Sequence, residues 1–268
     1  MRAWFTGLLR NGREADMANG NVNADYEVAL KLPIMDGAES LRAWQAHAAL
    51  CELLALSFRY PDDVLVEAVA SGEWVGAAIE LASTLGLLLP DDFELVDAAS
   101  HADGAKEAFS AEPLSNTALL HALRAEWTRL FVGSPDPVSP PYEGVWRASD
   151  DGVASLLFVN PHTRDVQRFC TACGVSRPAG LNEPLDHIVA ELELLQYLAS
   201  ASADMVVFEG VMREHVPGGS PASAFRLFMS DHLSTWVPRF AARIMQSSRW
   251  SIYAMAACLL DAYVKDLA

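Results

Sequence analysis

The chain has 268 residues, 51% of them apolar, which is enough for one large core or two small ones. Its formal net charge of −16 excludes nonspecific nucleic-acid binding, which needs a Lys/Arg excess to displace counterions, and favours cationic partners. Four cysteines (Cys51, Cys170, Cys173, Cys258) are too few for a disulfide scaffold, no secretory signal opens the chain, and the last long apolar run is broken by Asp261, so the expectation is a soluble cytoplasmic protein with no stable membrane insertion.

Residues 1–35 offer no periodic apolar face and read as a disordered tail ahead of an all-helical domain over 36–268. From Glu39 to Tyr60 the pattern turns helical: Leu41, Trp44, Ala48, Cys51, Leu54 and Phe58 recur at three- and four-residue spacing and share a face. Pro61 ends that helix. Pro61-Asp62-Asp63 reads as the first turn of the next, which runs through Ala70 and is stopped by Gly72. Helical composition continues from Glu73 to Leu89 and from Asp91 to Ser100, with a loop over 101–113. Ser115 or Asn116 caps a helix reaching about Phe131, with Leu119, Leu120, Leu123, Trp127, Leu130 and Phe131 on its apolar face.

The stretch from Leu130 to Trp146 (LFVGSPDPVSPPYEGVW) holds four prolines and two glycines, so it reads as a linker loop near 132–150 between two helical halves. It also carries Phe131, Val132, Tyr142, Val145 and Trp146, which a flexible tether lacks. Such a rigid aromatic loop is either a binding surface or a segment docked on the core. Val153–Val159 is too short to assign to strand or helix. Thr163–Cys173 reads as a helix. Another opens at Asn182 with Glu183-Pro184, placing Asp186 and His187 in its first turns and Ile188, Leu192, Leu195 and Leu198 inward. A short helix over 204–216, a long one from Ala222 to Gln246 kinked or bounded at Pro238, and a last one from Arg249 to Leu267 complete an all-α fold. That makes a single domain of about ten helices with no sheet.

Signals for catalysis are missing: there is no Walker loop, no G-x-S-x-G and no H-E-x-x-H. Cys170 and Cys173 share a helix face, but a zinc site needs four ligands and no second pair stands near in sequence. A helical metal or redox enzyme using these two cysteines remains the alternative from another class. Glu183, Asp186, Glu191 and Glu193 form an acidic cluster, which is either a solvated helix face or a receptor for guanidinium groups.

Trp127-x-x-Leu130-Phe131, then Pro140-Pro141-Tyr142-Glu143-Gly144-Val145-Trp146, then Glu183-Pro184-x-Asp186-His187, then Asp231-His232-Leu233-x-x-Trp236-Val237-Pro238-x-Phe240 stand in order. Together they resemble the TorD/DmsD-type redox-enzyme maturation chaperones over about residues 40–266. Gly144 stands where many relatives have serine, which reads as a mild change. The resemblance implies a non-enzymatic chaperone with no cofactor and no metal. It implies binding of the twin-arginine leader and the apo form of a molybdopterin oxidoreductase subunit of the DMSO/TMAO reductase type, with export delayed until cofactor insertion. A related chaperone for a nitrate reductase or formate dehydrogenase subunit differs only in client. Trp127, Leu130, Phe131, Asp186 and His187 match family positions associated with leader binding, and Tyr142 and Trp146 lie in the linker motif. In this reading Trp127, Leu130 and Phe131 take the leader's apolar stretch, Asp186 with Glu183 pairs with an arginine, and His187 bonds the peptide or tunes the site near neutral pH. The long linker is compatible with a monomer or a domain-swapped dimer.

Overall fold

The apolar spacing from Leu41 to Phe58 becomes α1 (Gly37–Phe58). Ala48, Cys51, Leu54 and Phe58 are buried as expected, whereas Leu41 is 42% exposed. The structure, a computed structural model, describes residues 10–11, 37–101, 114–152, 160–176, 184–206 and 216–267. Expectations for the rest of the N-terminal tail, for Val153–Val159, for Asn182 and Glu183, and for most of 101–113 and 204–216 lie outside those residues.

Helix starts follow their capping chemistry. Asp62 accepts from the Leu65 amide ahead of α2 (Asp63–Ala70). Gly72, at φ +80°, turns the chain into α3 (Glu73–Leu85). Of the two capping candidates near 115, Ser115 is the one used, accepting from the Ala118 amide ahead of α4 (Asn116–Trp127). The expected helix over 91–100 shrinks to a 3-10 turn, Phe93–Leu95. The reason is that the carbonyls of Ala98 and Ser100 instead accept the first amides of the last helix, from Ile252 and Ser251.

Past Trp127 the helix does not stop. It widens into a π turn, Thr128–Val132, closed by the Gly133 amide on the Thr128 carbonyl at 2.7 Å. Irregular backbone then runs only to Tyr142, because α5 (Glu143–Asp150) follows at once. The linker is therefore shorter than the 132–150 expected: prolines forbid helix only through Pro141. Next come α6 (Pro161–Ala172), capped by Asn160, and α7 (Ile188–Ser202). The chain closes with α8 (Pro221–Phe228), a π turn at Met229–Leu233, α9 (Ser234–Ser247) and α10 (Ser251–Leu267). Pro238 sits inside α9 without ending it, and the widened turn lies just ahead of Ser234, whose carbonyl Pro238 has no N–H to meet.

Ten α-helices stand among the described residues, and the strands there are two short ones, Arg10–Asn11 paired antiparallel with Val175–Ser176. The fold is all-α. α1 lies along α7, and α9 along α10. α1 belongs to the first half and α7 to the second, so the halves share one core rather than two. No helix among the described residues is long and apolar enough to cross a membrane.

Candidate functional site

The irregular segment after the π turn is docked, not loose. Gly133, at φ +45°, allows the turn, since a Cβ there would lie 2.5 Å from the Asp136 carbonyl oxygen. The Ser139 amide donates to the Leu130 carbonyl at 2.8 Å, and Trp146 Nε1 donates to the Pro140 carbonyl at 2.7 Å. Next the segment zips onto the approach to α7. The Ile188 amide donates to the Pro141 carbonyl, the Glu143 amide donates to the Asp186 carbonyl, both at 2.9 Å, and Tyr142 bridges His187. The rings of Tyr142 and His187 meet edge to face at 5.1 Å.

Asp186 stands at the centre of this junction and is 1% exposed. Its Oδ2 accepts from the Gly144 amide at 3.0 Å and from Thr163 Oγ1 at 2.7 Å. It thus caps α5 from another segment and ties in α6. Oδ1 has no partner. Burial raises its carboxyl above the usual range, against the two hydrogen bonds that lower it. Gly144 leaves room for this: a Cβ would lie 2.5 Å from Thr163 Oγ1 and 2.8 Å from Asp186 Oδ2. Glycine at this position is therefore a packing requirement in this chain, not a mild change.

Two more buried acids share the site. Glu143 is fully buried and accepts from Arg147 Nη1 at 2.7 Å, with His232 Nδ1 3.0 Å from its other oxygen. Glu191, also fully buried, accepts from Trp236 Nε1 at 3.2 Å. Burial, then the charges of Glu143 and Asp186, push the Glu191 carboxyl well above the ordinary range, so it holds its proton beside Glu143. Asp186 and Glu191, the two described members of the acidic cluster at this junction, thus do not lie on a solvated face. Glu193 is buried as well, against Arg59 at 2.8 Å. Glu191 was legible in part, because it falls on the inward stripe between Ile188 and Leu192. The partners Glu143, Asn160, Thr163 and His232 come together only in the fold.

Asp186 and His187 precede α7 instead of opening it. His187 is the cap, its Nδ1 accepting from the Val189 amide at 3.1 Å. Burial lowers its pKa to about 4, so it is neutral at physiological pH and does not tune a site near neutrality.

Trp127 lies elsewhere, at an aromatic patch. Its Nε1 donates to the Phe58 carbonyl at 2.9 Å, and its ring meets Tyr60 edge-on at 5.1 Å. Tyr60 and Val132 are 52% and 54% exposed. Leu130 and Phe131 lie beneath in the core, Phe131 against Phe58, Phe240 and Tyr253. Their expected direct contact with a peptide is not open in this arrangement, since the π turn points both inward. Phe240 touches both Phe131 and Trp146 and so links patch to junction. Tyr60 escaped the sequence reading because it follows the last periodic residue of α1. Glu183 lies outside the described residues.

Cys170 and Cys173 are both buried, and burial raises both thiols, Cys173 to about 12. Neutral packed thiols are poor nucleophiles and poor ligands. Among the described residues no group of three or more His, Cys, Asp or Glu side chains is placed to hold a metal.

The model of the nitrate reductase delta subunit family matches residues 96–242, more than half of the chain. The chain belongs to this TorD-like family. Similar curated proteins are named Chaperone protein TorD. The one from Vibrio cholerae serotype O1 is 32% identical over 144 residues, 54% of this chain and 60% of that protein. The one from Aliivibrio fischeri is 27% identical over 146 residues, covering 53% and 61%. The one from Escherichia coli O81 is 22% identical over 147 residues, covering 53% and 60%. The match therefore spans about three fifths of these relatives. The family segment contains the whole junction, from Glu143 to Trp236, together with Trp127. Tyr60 and all of α1, α2 and α3 fall before it.

Proposed function

We propose that this protein is a cytoplasmic chaperone for a molybdopterin oxidoreductase subunit. It binds the twin-arginine leader and the apo enzyme, and delays export until the cofactor is in place. Family membership carries this reading, since the relatives bear the name of chaperones and the shared segment contains the junction and Trp127. The aromatic pair of Trp127 and the exposed Tyr60 supports it: such surface takes an apolar helix or strand, with Phe131 packed behind Trp127. Asp186, His187, Tyr142 and Trp146 act on the peptide indirectly, by holding the Pro-rich connection in shape. A client of the nitrate reductase type is the second reading, and the description of the matching family favours it.

Calorimetric titration with leader peptides of candidate clients tests the proposal, each beside a version with both arginines changed to lysine. Saturable binding of one leader is the expected result and names the client. Absence of binding by every leader, from both client types, overturns leader recognition.

A further inference from the structure

Two side chains three residues apart on α4, Arg124 and Trp127, hold the chain that leaves α1. Arg124 Nε donates to the Pro61 carbonyl at 2.8 Å, and Trp127 Nε1 donates to the Phe58 carbonyl at 2.9 Å. Tyr60 stands in sequence between these two anchor points. The Arg124 guanidinium lies over its ring, 5.2 Å from the centroid, and the Trp127 ring meets it edge-on at 5.1 Å. Tyr60 is thus fixed on two sides and still half exposed. Arg124 is the unusual member of this group. The chain has 35 acidic residues against 19 basic ones, and neighbouring Arg59 is taken by Glu193 at 2.8 Å. Yet no described carboxylate pairs with half-buried Arg124, and its bond to Pro61 uses Nε alone, which leaves both Nη groups as spare donors at the edge of the aromatic pair.

We infer that Arg124 sets the direction in which the bound leader lies. Its Nη groups donate to main-chain carbonyls at the C-terminal end of the leader's apolar stretch, while Tyr60 and Trp127 take the apolar side chains. The last carbonyls of a helix lack partners and carry its negative pole, which a fixed guanidinium complements. A leader places its basic residues ahead of its apolar stretch. The same contact therefore turns the leader's arginines away from the aromatic pair, where the charge of Arg124 repels them. Arginine suits this role and lysine does not, because Nε is spent on Pro61 while two further amino groups remain. Arg124 and Trp127 both fall inside the family segment. This assignment rests on the leader-binding reading above.

The test is calorimetry on the full chain with the leader that it binds. Arg124→Gln is expected to weaken binding by about threefold to tenfold, as loss of a hydrogen bond does. Arg124→Glu is expected to weaken it further, although it adds negative charge to a protein that attracts basic peptides. A second leader, with one acid placed just after its apolar stretch, gives a readout that a displaced Tyr60 does not move. It is expected to bind the unmodified chain about twofold to fivefold more tightly than the parent leader, and to bind Arg124→Glu more weakly than the parent leader does. Tighter binding of the parent leader by Arg124→Glu overturns the assignment, because the leader's arginines then lie at the aromatic pair. Unchanged affinity in Arg124→Gln overturns it too, as does an added acid that changes affinity for both chains by the same factor. Each of these leaves the chaperone reading standing. Failure of the unmodified chain to bind any leader overturns both.

Discussion

Glu191 is held as a neutral acid by burial and by the charges of Glu143 and Asp186. The sign of the consequence follows from linkage. With the folded pKa raised, the folded state binds an extra proton between the ordinary glutamate range and its own higher value. Stability therefore falls as pH rises through that window, and the raised Asp186 carboxyl adds a slope of the same sign from the aspartate range upward. Glu191→Gln keeps an acceptor for Trp236 and a donor for Glu143 without the proton. The variant should be more stable at neutral pH by on the order of 1 kcal/mol, with a flatter stability–pH profile above the glutamate range. Chemical denaturation across pH reads this, and an unchanged slope would place the titration elsewhere. Gly144→Ala should cost about 1–3 kcal/mol, because its Cβ meets Thr163 and Asp186 at sub-contact distance. A melting temperature equal to that of the parent chain would mean the junction has slack. Trp127→Ala should cost about 2 kcal/mol or more of leader affinity in calorimetry, as an anchor of the aromatic patch.

At the scale of elements, α3 carries a glycine that its own helix does not need. Gly76 has helical backbone and open space around its missing Cβ. Gly76→Ala should therefore raise stability by about 0.5–1 kcal/mol, through lower unfolded-state entropy and better propensity. Thermal denaturation checks this, and a loss would show that the position is constrained in a way its surroundings do not reveal. Two π turns also interrupt the helices. Each follows an α-helix that the apolar period describes well, then shifts phase by a residue. The first holds Leu130 and Phe131 together in the core, on the side where the apolar spacing of the helix also puts them.

For the molecule as a whole, net charge and connectivity dominate. On the proposed function, a chain of charge −16 should attract a basic leader from a distance, so its association rate should fall by about tenfold or more as salt rises from 0.01 to 0.15 M. Stopped-flow tryptophan fluorescence reports this, and a salt-independent rate would put recognition on apolar contact alone. The packing of α1 along α7 binds the first half to the second across the Pro-rich connection. That connection is itself zipped to the segment before α7 through Tyr142, Asp186 and Ile188.

Local chemistry in the sequence was enough to determine the all-α class, a helix start at Ser115 or Asn116, the inward faces of α4, α7 and α10, and the family resemblance. Apolar periodicity, caps and proline act over a few residues and can be read there. Tertiary structure alone decided which polar residues are buried. In the sequence Asp186 and Glu191 are carboxylates of a solvated face or of an arginine receptor, and in the fold α5, α6 and α9 close around them. It decided that His187 is a neutral cap. Burial, and with it the charge state of an acid or an imidazole, depends on side chains tens of residues away in the chain. No local pattern carries that information.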